Sequence, residues 1–375
     1  MLGLVLATSA FASAKPIEYT ASQLADYEIN ALPGAPAVPW KQFGGYVDVG
    51  ARGKIFFWFV ESAGDPTTDP VLLWTNGGPG CSGLTGFLTE HGPFRPTKDG
   101  NLEANPAAWN TAASMVYVEQ PVGVGFSVPA SGDLEYGDNL AASDNLAFVK
   151  GFFKLFPQYA PRDFYITSES YGGHYMPTLA SAIVKDGGVP NFKGFMVGNP
   201  LTYLSMRNYG EYGTFYGHQL LPKPLWETYV AANCSTAPGL NPGATCGVIT
   251  DQMDQLTGGL DPYALDFPKC NDSALSTGRH ERHMMATKLK LRSNYPYFPV
   301  NYQPCTSDWA TAYLSRKDVQ AAVHADPSGP TWTGNWSACS DAVGSRYSAE
   351  DTAAPMMPYY KELAGKVSRT ALAPS

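Results

Sequence analysis

The stretch DFYITSESYGGHYMPTLASAIVKDGG, residues 163–188, constrains the fold more than any other part of this sequence. Its first part is rich in aromatic and β-branched residues and reads as a strand ending at Ser170. Its second part, from about Tyr171 and clearly by Tyr175, reads as a helix closed by Gly187 and Gly188. Between them Ser170 is flanked by small residues two positions away on each side, Ser168 and Gly172. A sharp strand-to-helix turn needs that spacing, and it exposes a serine hydroxyl at the carboxyl end of a sheet. The helix start then points its free N–H groups at whatever anion forms there. A plain structural βα turn would satisfy the same residues, so the rest of the chain has to decide.

The same alternation recurs along the chain. KIFFWFVES (54–62), PVLLWTNGG (70–78), SMVYVEQPVGVGFS (114–127) and FKGFMVGNP (192–200) are short apolar runs ending in turn residues. SDNLAFVKGFFKLFPQY (143–159) places Leu146, Val149, Phe152, Phe153 and Phe156 on one helical face, with Ser143 as the expected N-cap and Pro157 as the stop. Strands alternating with helices predict an α/β fold with a mainly parallel sheet. Residues 204–310 break the rhythm with four cysteines and many Pro, Gly and Tyr residues, and are expected to form an insertion or cap. Charged residues are only 15% of the 375, against 44% hydrophobic, which favours a large core over disorder. The net charge of −8 argues against nucleic acid and anionic membranes as partners.

Residues 2–12 are mostly apolar and ASA at 12–14 fits a small-residue cleavage site, so residues 1–14 are expected to be a signal peptide, although a basic start is missing. No other stretch approaches the length of a membrane span. Six cysteines, none in a CxxC pair, favour disulfides over a metal site. Asn-x-Ser/Thr triplets at Asn233, Asn271 and Asn335 are candidate glycosylation sites. Export to a secreted or vacuolar/lysosomal compartment is the resulting expectation. Neither a cofactor nor a metal is expected.

A second motif, WTNGGPGCSGLTGFLTEHGPF (74–94), follows an earlier strand with a glycine run that brings backbone N–H groups within close approach. Together with SESYGGHYMP, YVEQPVGVGFS, VGNPLT and YLSRKDVQAAVHA it resembles the serine carboxypeptidase family of the α/β-hydrolase fold, over about residues 17–363. The resemblance implies that Ser170 is the nucleophile and that the backbone N–H groups of Gly78 and Tyr171 form the oxyanion hole. It implies that Asn76, the Gly77 backbone, Glu90 and Glu169 hold the free C-terminal carboxylate of a peptide or protein substrate. A carboxylate cannot sit beside ionised glutamates, so at least one must be protonated, which predicts a preference for acidic pH. Six cysteines permit fifteen pairings; the resemblance selects Cys81–Cys339, Cys234–Cys246 and Cys270–Cys305.

One part of the family pattern is missing. The fold needs an acid and a histidine after the nucleophile in chain order, and the family carries both after the MMPYYKEL segment, here 356–363. The sequence continues AGKVSRTALAPS, with neither. The histidines after Ser170 (His174, His218, His280, His283 and His324) and the acids Asp308 and Asp341 stand outside the expected catalytic context. The expectation is one domain over 15–375 with a cap, an atypical tail at 364–375, missing last strands and an exposed apolar sheet edge. Its function is a serine-type carboxypeptidase working through an acyl-enzyme, with weak or no activity in this chain. An acyltransferase of the same family is the first alternative, although relatives of that kind tend to have Asp where Glu169 stands. A non-catalytic peptide-binding relative is the second.

Overall fold

The computed structural model describes residues 17–236, 243–258, 260, 263, 265, 270, 303–367 and 369–373. The expected signal peptide at 1–14, Asn271, His280 and His283 lie outside the described residues. Ten strands are described: β1 (Gln42–Asp48), β2 (Gly53–Val60), β3 (Val71–Thr75), β4 (Phe94–Pro96), β5 (Leu102–Ala104), β6 (Ser114–Glu119), β7 (Val128–Pro129), β8 (Phe164–Glu169), β9 (Phe192–Gly198) and β10 (Arg369–Ala373). Their central sheet runs β1-β2-β6-β3-β8-β9-β10, with β7 beside β2 and β4-β5 as a separate hairpin. From β6 onward every neighbour is parallel, while β1, β2 and β7 are antiparallel.

The runs that read as apolar throughout do so because both faces of the sheet are covered. Alternate residues sort to opposite sides. Phe57, Phe59, Leu73, Val116, Ile166 and Val197 join one buried cluster, and Phe56, Trp58, Trp74, Met115 and Tyr117 join the other. The first face carries α3 (Asp138–Leu155) and α4 (Gly172–Asp186). The second carries α2 (Leu84–Thr89) and, further along the chain, α8 (Thr306–Leu314) and α9 (Lys317–Ala322). The remaining helices are α1 (Ala21–Tyr27), α5 (Leu204–Gly217), α6 (Lys223–Ala231), α7 (Gly243–Thr257), α10 (Asp341–Gly344), α11 (Ala349–Ala353) and α12 (Met357–Leu363). Helices α5, α6 and α7 surround a small cluster of their own that includes Phe215, Tyr229, Ile249 and Met253.

Two expectations change. Helix α3 begins at Asp138, not at Ser143, which sits exposed inside the helix. The reason is tertiary: the Asp138 N–H donates to Asp351 Oδ2 at 2.8 Å, so a distant carboxylate serves the helix start. The tail is not featureless either. After Gly365, at φ 83°, it forms β10, paired in parallel with β9 from Arg369↔Gly194 to Ala373↔Gly198. The backbone edge of β9 therefore has a partner instead of lying open.

Candidate active site

β8 ends at Glu169 and α4 begins at Gly172, so Ser170 and Tyr171 form the whole turn. Ser170 has φ 55°, a left-handed value that a residue with a side chain holds only under constraint. The constraints are visible. Its N–H donates to Gly198 O at 3.0 Å, and its carbonyl accepts from Gly173 N at 3.0 Å and Leu201 N at 2.7 Å. The flanking glycines are required by space. A Cβ at Gly172 would lie 2.1 Å from Ser168 Oγ, and one at Gly173 would lie 2.2 Å from Leu201 O. Ser168 turns its hydroxyl away from the site, donating to Thr75 O on β3 at 2.6 Å.

The glycine loop leaves β3 beside this turn. A Cβ at Gly77 would sit 2.4 Å from the Tyr171 nitrogen and 2.8 Å from Glu169 O, so only glycine fits against the elbow. Gly78 (φ 116°) and Gly80 (φ 91°) continue the loop in conformations that side chains disfavour. Gly80 N–H donates to Tyr175 Oη at 3.1 Å, which ties the loop to α4. The N–H groups of Gly78 and Tyr171 have no acceptor among the described residues.

A carboxyl pair flanks the turn. Asn76 is buried, and its Oδ1 accepts from Trp74 Nε1 at 2.9 Å and Gly86 N at 3.0 Å. That leaves Nδ2 pointing at Glu169 Oε1, 2.8 Å away, and Glu90 Oε1, 3.3 Å away. Burial first, and the Glu169 charge second, push the Glu90 carboxyl up to about 7. Burial also raises Glu169, against the opposing pull of the Asn76 amide. Next to Glu90, His91 stacks on Trp109 and meets Trp74 edge-on, and burial pushes it down to about 3, so it stays neutral.

The other candidates are scattered. Disulfides join Cys81–Cys339, Cys234–Cys246 and Cys270–Cys305, and the first pins the glycine loop to a segment 258 residues on. Asn233 and Asn335 are exposed. His174 is buried against Asp138, His218 is exposed, and His324 bonds Glu28 O. Asp308 and Asp341 are exposed. Ser170 Oγ has no hydrogen-bond partner among the described residues. A cavity of about 700 Å³ lies further down the sheet, between Leu72, Trp109, Tyr165 and Met196. It is four residues along β3 from Asn76 and is not part of this site. Among the described residues no helix is long and apolar enough to cross a membrane. What the motifs did not reveal is the buried Asp138, which joins α3 to the first turn of α4.

Residues 33–372 match the serine carboxypeptidase family. Serine carboxypeptidase-like 27 of Arabidopsis thaliana is 38% identical over 379 residues, which covers 96% of this chain and 78% of that protein. Serine carboxypeptidase 24 of the same plant is 37% identical over 351 residues, 90% of this chain and 73% of that one. Among solved structures, the prohormone-processing carboxypeptidase Kex1(delta)p from Saccharomyces cerevisiae superposes with a TM-score of 0.72. That match covers 93% of this chain and 78% of the other at 20% identity, and so speaks for the fold. With a mainly parallel sheet, a strained serine at its carboxyl end and this match over most of its length, the chain belongs to the serine carboxypeptidase family.

Proposed function

We propose that this protein binds the free C-terminal carboxylate of peptides through Asn76, the Gly77 backbone, Glu90 and Glu169, and that Ser170 is the nucleophile facing the last peptide bond. The observation that carries the reading is the locked Asn76 amide between two carboxyls, one of them raised to about 7. At acidic pH a protonated glutamate and the amide donate to an incoming carboxylate. As pH rises above about 7, Glu90 loses its proton and the pair repels it.

In the reaction, Ser170 Oγ attacks the scissile carbonyl carbon. The resulting oxyanion accepts from the N–H groups of Gly78 and Tyr171, which are free to donate. The C–N bond breaks, the C-terminal amino acid leaves with the serine proton, and water then hydrolyses the acyl-serine. A base is required to take that proton quickly, and Ser170 Oγ meets none among the described residues. The 375-residue chain is therefore read as holding peptide C-termini well and cleaving them slowly. The same observation favours a second reading, a binding relative without turnover. Acyl transfer is disfavoured by Glu169, whose carboxyl helps build the carboxylate clamp.

The reading extends to one catalytic domain over 15–375, with residues 204–310 as its cap, in a secretory compartment after loss of residues 1–14. Glycans at Asn233, Asn271 and Asn335 belong to it. The deciding experiment is titration with an N-blocked amino acid at about pH 5 and pH 8, intervals either side of the raised carboxyl. Tight binding only at the acid end supports the clamp, and equal affinity at both rejects it.

A further inference from the structure

The first turn of α4 is held from below by one side chain with no assigned role. Asp138, the first residue of α3, is buried. Its Oδ1 accepts from Tyr171 Oη at 3.0 Å and from Tyr347 Oη at 2.7 Å. Its Oδ2 lies 2.9 Å from His174 Nδ1. Three polar groups converging on one buried carboxyl group make a directional anchor. Aromatic contacts reinforce it: the Tyr171 ring stacks on His174 at 4.5 Å and 11°, and meets Tyr347 edge-on at 5.5 Å.

The consequence falls on Tyr171. Its side chain runs down to Asp138, while its N–H emerges beside Gly77, whose Cβ, were there one, would lie 2.4 Å from that nitrogen. The two ends of the residue share one Cα, so anchoring the ring restricts where the N–H can point. The backbone restrains the same turn, the Tyr171 carbonyl accepting from His174 N at 2.9 Å and Tyr175 N at 3.2 Å. An oxyanion donor gains from a side-chain restraint as well, because a displacement of about 1 Å can cost on the order of 10²-fold. The other end of the hole is bolted to the same turn through the Gly80–Tyr175 bond.

We propose that Asp138 is the positioning residue of the oxyanion hole: it touches no substrate, but through Tyr171 and His174 it aims the Tyr171 N–H at the tetrahedral oxygen. The proposal rests on the reading of Gly78 and Tyr171 as oxyanion donors, and its test separates the two.

The test uses two non-cleavable N-blocked dipeptide analogues with free C-terminal carboxylates. In one, a phosphonate replaces the scissile carbonyl and presents a tetrahedral anion. In the other, a methylene replaces it. Affinities of the 375-residue chain, Asp138→Asn, Tyr171→Phe and Tyr347→Phe are measured by calorimetry at about pH 5.5, where the clamp is protonated. The parent should prefer the phosphonate by on the order of tenfold or more. Asp138→Asn, close in size and able to face either tautomer of His174, should lose most of that preference while binding the methylene analogue within about twofold of the parent. Tyr171→Phe should lose part of it, and Tyr347→Phe less. If Asp138→Asn keeps the full preference, or both affinities fall together, Asp138 is structural and the proposal fails. If Asp138→Asn does not fold, Tyr171→Phe decides alone: an unchanged preference overturns the proposal. A parent with no preference for the phosphonate instead removes the oxyanion-hole reading on which it stands.

Discussion

Asn76 Nδ2 stands 2.8 Å from Glu169 Oε1, and the amide cannot turn over, because Trp74 and Gly86 already donate to its other end. One side chain therefore fixes which group an incoming carboxylate meets. Replacing Asn76 by Asp keeps the size but turns the donor into an acceptor facing two carboxyls. Affinity for an N-blocked amino acid at about pH 5 should fall by roughly 2–3 kcal/mol, the size of a hydrogen bond to a charged group. Isothermal titration reads it, and an unchanged Kd would remove Asn76 from the clamp.

Glu169→Gln supplies a permanent donor and removes the charge that helps to raise Glu90. The parent should lose affinity for C-terminal carboxylates as pH rises through about 7, the Glu90 value, by about tenfold per pH unit above it. The variant should bind across that range with a much flatter profile. Parallel profiles for the two proteins would show that no shared proton governs binding.

Stability should also fall toward neutral pH. Glu119 is fully buried, accepting from Ser82 Oγ, Trp336 Nε1 and Phe126 N, and burial still pushes its carboxyl up to about 7. Unfolded glutamates titrate near 4.5, so between about 4.5 and about 7 the folded chain holds more protons than the unfolded one. Stability is then full below that window and declines as pH climbs through it. Thermal melts from pH 4.5 to 8 should show Tm dropping, and Glu119→Gln should weaken the drop. A Tm that rises over the window contradicts the raised carboxyls.

The 375-residue chain, assayed on an N-blocked dipeptide at about pH 5, should turn over at least on the order of 10³-fold below an ordinary enzyme rate of about 1–10³ s⁻¹. Ser170→Ala controls for contaminating peptidase. Ordinary turnover that disappears in Ser170→Ala would mean that a base reaches Ser170 in solution.

Removing the Cys81–Cys339 bridge, which joins residues 258 apart, by a double Ser substitution should lower unfolding free energy by roughly 2–5 kcal/mol, the usual loss for a native disulfide. It should also weaken the clamp, because Ser82 N donates to Ala338 O and Ser340 N to Gly80 O across the same junction. Denaturant titration and ligand affinity measure the two effects, and a stable, fully binding variant would show the bridge to be redundant.

The parts of this fold that could be read from the sequence are those set by local pattern. β2, β3 and β6 announce themselves as apolar runs because both of their faces are largely buried, and β8 and β9 do so although Tyr165, Phe192 and Met196 are only half-buried. β1 hides two glycines and an aspartate in QFGGYVD, and its strand state comes from pairing with β2, not from its composition. β10 was unreadable for the same reason. The site shows the same division. Ser170, Asn76, Glu90 and Glu169 sit inside continuous motifs, and it is the resemblance of those motifs to the serine carboxypeptidase family that implies their roles. Asp138 does not: its partners lie 33 positions away at Tyr171 and 209 away at Tyr347, and no short window contains that relationship. The early start of α3 is not legible in the sequence because the group that serves it, Asp351, is equally remote.

The order of the strands also sets when the site can exist during folding. Asn76 follows β3 and Glu169 ends the neighbouring parallel strand β8, yet the two lie 93 residues apart in the chain. Parallel pairing of that kind closes a long loop before any contact rewards it, and such steps are slow. The two loops cannot meet until the β3–β8 ladder has zipped. Recovery of C-terminal carboxylate binding after dilution from denaturant is therefore a clock for the central sheet: it should lag behind the recovery of helical signal and coincide with the last slow phase of refolding.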